Sequence, residues 1–137
     1  MKEDSRRLSN YFSFDQILLD APCSGSGTIY MDNLRTYQGI TEQLLRKTTQ
    51  SQTALLKKAL KILKPGHEMV YSTCSILQEE NEEIIEQALK GVKAEIVPID
   101  MQGIKEIPKL PIKIKGTLCV CPNEYYEGFF VAKIKKK

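Results

Sequence analysis

The chain has 137 residues, of which 42% are hydrophobic and 27% charged, with a net charge of +3. That is room for one domain with a packed core, and it excludes a disordered tail, a collagen-like fibre and a disulfide-dense mini-protein. The longest apolar stretches, such as Ile17 to Leu19 and Phe129 to Ala132, are too short to span a bilayer, and no charged-then-apolar start marks a secretory leader, so a soluble, cytoplasmic chain is expected. Charge is unevenly spread. Residues 1–66 hold ten basic and six acidic groups, residues 67–100 two and eight, and residues 101–137 eight and three. The basic outer thirds suit either contact with a polyanion such as RNA or an ordinary solvated surface.

Residues 1–14 form a polar lead-in that turns aromatic at Tyr11, Phe12 and Phe14, and residues 15–137 carry the remaining elements. Asp15 to Asp20 has a continuous apolar centre and reads as a buried strand of the parallel kind. Ala21 to Gly27 is small, polar and glycine-rich, so the strand opens into a tight loop, with Pro22 holding Ala21 extended. A strand that ends in such a loop is where α/β folds place their chemistry. Residues 28–40 read as a long surface loop. Thr41 is the expected cap of a helix reaching about Leu63, apolar at Leu44, Leu45, Leu55, Leu56, Ala59, Leu60 and Leu63 and stopped by Pro65-Gly66.

Met69 to Ser72 reads as a second buried strand, with Thr73-Cys74-Ser75 just past its end. A second helix is predicted from about Gln78 to Lys90, with Gly91 as its stop. Glu79, Glu80, Glu82 and Glu83 sit at its start, where carboxylates suit the helix dipole. Ala94 to Pro98, a Pro- and Lys-containing connection, and an antiparallel pair over roughly Gly116 to Cys121 and Gly128 to Ile134 complete the chain.

Four cysteines occur: Cys23, Cys74, Cys119 and Cys121. Without a signal peptide they read as thiols. Cys119 and Cys121 share one face of an extended strand, and with His67 the only histidine no metal is expected. Cys23 and Cys74 stand at equivalent places, each just past a buried strand. If the strands are parallel neighbours, both thiols face one pocket with Asp20 on its rim. Helix starts or backbone-amide nests after each cysteine would lower the thiol pKa. Other motifs fail. The position of a cysteine-phosphatase arginine is Ile29, Thr28 stands where a phosphate loop needs Lys, and Tyr30 stands where a dinucleotide fingerprint needs its third Gly.

Asp20-Ala21-Pro22-Cys23-Ser24-Gly25-Ser26-Gly27 together with Ser72-Thr73-Cys74-Ser75 resembles the Sun (Fmu-like, RsmB-like) family of RNA cytosine carbon-5 methyltransferases. Leu63-Lys64-Pro65-Gly66, Glu79-Glu80-Asn81-Glu82 and Gly128-Phe129-Phe130-Val131-Ala132-Lys133 extend the likeness over nearly the whole chain from Phe14. The resemblance implies an α/β fold, namely the 4-5-7-6 side of a Rossmann-like S-adenosylmethionine-dependent methyltransferase sheet, ending in an antiparallel pair. It implies Cys74 as the nucleophile on carbon 6 of cytosine, Cys23 assisting product release, and Asp20 contacting both cofactor and base, with Pro22 beside the cofactor. DNA cytosine methyltransferases instead use the cysteine of a Pro-Cys pair, here Cys23. Arg35, Arg46 and Lys47 are the expected phosphate contacts of an rRNA or tRNA substrate.

This chain departs from the family at Tyr30, Met31 and Asp32, where basic residues are common, and at Cys119-Val120-Cys121-Pro122, where an Arg-containing segment is common. The family's glycine-rich cofactor turn has no counterpart before Phe14. The chain therefore reads as the C-terminal half of a catalytic domain, expected to be inactive alone and to bind cofactor weakly. Its first strand would be covered by a missing N-terminal half or a second copy. The alternative function is a non-catalytic RNA-binding or assembly module that keeps the fold.

Overall fold

The computed structural model describes residues 4–29 and 39–137. Its strands are β1 (Phe14–Asp20), β2 (Leu63–Thr73), β3 (Ala94–Val97), β4 (Leu118–Val120) and β5 (Phe129–Lys136). Its helices are α1 (Glu42–Ile62) and α2 (Glu82–Leu89). The sheet runs β1-β2-β5-β3, with β4 also on β5. β1 and β2 are parallel, and β5 lies antiparallel to β2, β3 and β4. This is the expected 4-5-7-6 side of a Rossmann-like sheet. Its last position is shared. β3 pairs with Lys133 to Lys136 and β4 with Phe129 to Val131, so the two lie end to end along the same edge of β5.

Helix α1 begins as its sequence dictates. The Thr41 hydroxyl accepts from the Leu44 amide at 3.1 Å, satisfying one of the free N–H groups of the first turn. Leu56, Ala59 and Leu60 then pack on Met69 and Tyr71 of β2 and on Phe130, Ala132 and Ile134 of β5, and Ile84, Ile85 and Ala88 of α2 close the same core. Alternate residues of each strand enter this core. Registered pairs such as Ile17 with Met69 and Leu19 with Tyr71 share the helix-covered face.

The opposite face carries Leu18, Val70 and Lys133 in register and has no helix on it among the described residues. This corrects the reading of Asp15 to Asp20 as a buried strand. β1 is an edge strand, and Leu18 is 73% exposed. Three consecutive apolar residues imply cover on both faces, but the described residues cover only one.

Two boundaries also differ from the sequence reading. Pro65-Gly66 lies within β2, where Phe14 and Gln16 of β1 pair with Leu63 and Glu68. The intervening residues bulge from the ladder, with Gly66 at φ 82°. The second helix is broken: a 3-10 turn at Gln78–Glu80 precedes α2, with Asn81 between them at φ −115°, ψ −93°. The break turns Glu80, Asn81 and Glu82 inward, so two of the four glutamates expected to serve the helix dipole are buried. Gly91 at φ 77° ends the helix as expected. The loop predicted over residues 28–40 falls largely outside the described residues, and so does Arg35.

Candidate functional site

Three loops meet at one end of the sheet. Asp20 is in register with Ser72 at the carboxyl ends of β1 and β2, and Thr73 is in register with Phe130 near the start of β5. The loops Ala21 to Thr28, Cys74 to Leu77 and Cys121 to Gly128 therefore converge. Backbone bonds tie them together: Ala21 N–H donates to Ser72 O at 2.9 Å, Gly27 N–H to Cys74 O at 2.9 Å, and Gly128 N–H to Gly27 O at 2.7 Å. Gly27 and Gly128 are glycines for a steric reason. A Cβ on Gly27 would run into the Gly128 backbone, and one on Gly128 would meet Ile76 Cγ2 at 2.5 Å.

The two cysteines come together. Cys23 Sγ and Cys74 Sγ are 2.9 Å apart, both half-buried, as parallel neighbouring strands predict. Burial, followed by the bond to Cys74, pushes the Cys23 thiol up to about 12. The expectation of a lowered pKa fails for Cys23. The segment after it is only a three-residue 3-10 turn, Ser26–Thr28, and desolvation outweighs the lowering by the backbone hydrogen bond at Gly25. Cys23 therefore keeps its proton at neutral pH.

Asp20 stands exposed at the rim, where Ser72 Oγ donates to its Oδ1 at 2.9 Å. Its Oδ2 has no protein partner among the described residues. Pro22 is exposed beside it. Arg46 and Lys47 are exposed on α1. Arg46 pairs with Glu42 one turn earlier, at 2.5 Å, and lines a separate groove of about 710 Å³ with Glu42, Glu79 and Glu83. Cys119 is buried in β4 and half-buried Cys121 just follows it.

The cysteine loop rests on a residue that sequence reading assigns to the dipole of the second helix. Glu80 is fully buried. Its carboxyl oxygens accept from the Ser24 N–H at 2.8 Å, the Ser24 hydroxyl at 2.6 Å and the Thr48 hydroxyl at 2.6 Å, while its backbone carbonyl accepts from the Tyr71 hydroxyl at 2.8 Å. A second polar lattice fixes the other loop. The Thr73 hydroxyl donates to Asn81 Oδ1 at 2.6 Å, Asn81 Nδ2 donates to Ser75 O at 2.8 Å, and the Ser26 and Ser75 hydroxyls lie 2.9 Å apart. Satisfied networks of this kind hold side chains in one arrangement. Gln52 on α1 is buried, and neither amide atom is paired among the described residues.

A parallel strand pair continued by an antiparallel strand, with Cys23 and Cys74 just past the carboxyl ends, is the arrangement of one side of a Rossmann-like sheet. Residues 1–135 match the model of the 16S rRNA methyltransferase RsmB/F family, and the chain belongs to that family. It is 37% identical over 125 residues to ribosomal RNA small subunit methyltransferase F of Vibrio parahaemolyticus and 38% over 125 residues to that of Vibrio cholerae. Both alignments cover 90% of this chain and 26% of the relative.

Among solved structures, it resembles a methyltransferase homolog protein from Pyrococcus horikoshii, with a TM-score of 0.72, 38% identity and coverage of 92% of this chain and 40% of that one. It also resembles NSun6 from Pyrococcus horikoshii with SFG, with a TM-score of 0.81, 27% identity and coverage of 99% and 34%. The chain thus spans 26% of the length of these curated relatives.

Proposed function

We propose that this chain carries the reacting half of an RNA cytosine carbon-5 methyltransferase acting in the cytoplasm on rRNA or tRNA. The observation behind this reading is the pair of sulfurs 2.9 Å apart at adjacent strand ends. Carbon 5 of cytosine is a poor nucleophile. Addition of the Cys74 thiolate to carbon 6 forms a carbon–sulfur bond and moves the ring's double-bond electrons toward carbon 5, which then reacts as an enamine. After transfer, a base removes the carbon-5 proton, the carbon–sulfur bond breaks, and the 5,6 double bond returns with Cys74 restored.

The family resemblance carries the assignment of roles, with Cys74 attacking the base and Cys23 assisting release of the product. The target base must leave its stack to reach the two thiols. The family implies S-adenosylmethionine, which supplies the methyl group, and SFG, named with the archaeal NSun6 structure, is an analogue of it. The chain's own rim fits such a ligand: Asp20 offers a carboxylate oxygen without a protein partner among the described residues, and Pro22 lies exposed beside it. Asp20 would hold a donor group of the cofactor and face the base.

We place the lead-in at residues 1–14 and the catalytic half at 15–137. The uncovered face holding Leu18 would be closed by further chain, either an N-terminal half or a second copy. The chain alone would bind cofactor weakly and be inactive, and micromolar binding of S-adenosylmethionine in calorimetry would overturn that. Trapping with 5-fluorocytosine RNA tests the main reading once a cofactor-binding half is supplied. A covalent adduct supports the enzyme, and its absence supports a non-catalytic RNA-binding module.

A further inference from the structure

The loop between β4 and β5 presents two tyrosines that the fold does not use. Tyr125 is 79% exposed and Tyr126 42%. Neither ring pairs with another aromatic ring among the described residues. Their backbone is nevertheless held firmly. The N–H groups of Tyr125 and Tyr126 both donate to Asn123 Oδ1 at 2.8 Å, and the Asn123 N–H donates to Tyr126 O at 2.8 Å. An Asn side chain that closes a turn in this way fixes where the following residues point. A turn that fixes two exposed aromatic rings presents a preformed contact surface.

Position identifies the occupant. The turn is fastened to the cysteine loop through Gly128 N–H to Gly27 O, and a cavity of about 560 Å³ opens between the two loops. Ser26, Gly27, Ile76, Tyr125 and Tyr126 are among its lining residues. That volume is ample for a small planar group. Residues 116–132 contain Glu124 and Glu127 and no Lys or Arg, so this wall does not attract phosphate. Aromatic faces without cations bind the bases of a single strand rather than its backbone.

We propose that Tyr125 and Tyr126 form a stacking platform for an unpaired RNA base next to the target cytosine, holding the strand while the target is turned into the cysteine pocket. This rests on the RNA reading above and adds a binding site to it. The platform orients substrate and takes no part in bond making.

The test uses the chain as it stands and a fluorescein-labelled single-stranded oligocytidine RNA, followed by anisotropy. Tyr125→Ala should weaken binding about tenfold, from the range of base–aromatic stacking strengths. Tyr125→Phe should stay within about twofold, because stacking uses the ring. The slope of log affinity against log salt should not change, since no phosphate contact is lost. The chain has no tryptophan, so Tyr125→Trp places a single reporter on the turn. Its emission should be quenched by the RNA and not by an abasic oligonucleotide of the same length. If wild type binds the RNA and Tyr125→Ala and Tyr126→Ala bind it equally well, the platform is refuted and the RNA reading stands. Quenching by the abasic strand also refutes it. If wild type binds no RNA at all, both fall.

Discussion

Replacing Glu80 with Ala should loosen the cysteine loop and cost a large share of the chain's stability. Its side chain accepts three hydrogen bonds, from the Ser24 N–H, the Ser24 hydroxyl and the Thr48 hydroxyl, joining the Cys23 loop to α1. A typical internal hydrogen bond contributes about 0.5–1.5 kcal/mol net, and a donor left unpaired in the interior costs about 1–3 kcal/mol. The two hydroxyls can rotate toward other acceptors, but the Ser24 amide cannot. A loss of about 3 kcal/mol follows. For a chain of this size that is a fall of roughly 10 °C in melting temperature.

Glu80→Gln keeps one acceptor oxygen, and Ser24 can turn its hydroxyl to accept from the new amide. Its cost should be about 1 kcal/mol. Glu79, exposed and one residue away, is the control, and Glu79→Ala should change stability by less than about 0.5 kcal/mol. Thermal and urea unfolding by circular dichroism measure all three. The reasoning is wrong if Glu80→Ala melts within about 2 °C of wild type, or no lower than Glu79→Ala.

Further outcomes are expected. Below about pH 8 the Cys23 thiol is protonated in both folded and unfolded chains. As pH rises toward 12, the unfolded thiol ionises while the folded one does not, so stability should fall through that window. Cys119, raised to about 11 chiefly by burial, adds to the same alkaline loss, and Cys23→Ala should lose less stability than wild type between pH 8 and 10.5 in urea titrations. Gly27→Ala should break the junction between the cysteine loop and the β4–β5 turn, detected as faster amide exchange at Gly128, because its Cβ would overlap the Gly128 carbonyl. Mild hydroperoxide treatment should join Cys23 to Cys74 before any other pair, releasing water and lowering the mass by two hydrogens, which peptide mapping would read directly.

The sequence carries the site's position well. An apolar run ending in Asp20 and opening into a small-residue loop, followed by a second strand ending at Thr73-Cys74, places two thiols at parallel strand ends, and the sulfurs do meet. The Thr41 cap and the Gly91 stop are local signals and are found where local chemistry puts them. Long-range features were not legible. Glu80 sits in an acidic run that suits a helix dipole, and its partners Ser24 and Thr48 are 56 and 32 residues away. Leu18 belongs to a run that reads as buried on both faces, which only the described neighbours can decide. The collinear β3 and β4 are separated by residues 98–117, so no periodicity reveals that they share one edge. The thiol pKa of Cys23 was misjudged because desolvation depends on packing that spacing does not encode.

The most direct test of the proposed chemistry is the site of attachment to trapped RNA. The chain, completed with the cofactor-binding half of a family relative, would be incubated with S-adenosylmethionine and an RNA bearing 5-fluorocytosine at the target. The adduct would then be digested and the modified peptide sequenced by mass spectrometry. The account predicts a nucleotide bonded to Cys74, lost in Cys74→Ser and retained in Cys23→Ser. A nucleotide bonded to Cys23, or an adduct that survives Cys74→Ser, would contradict it.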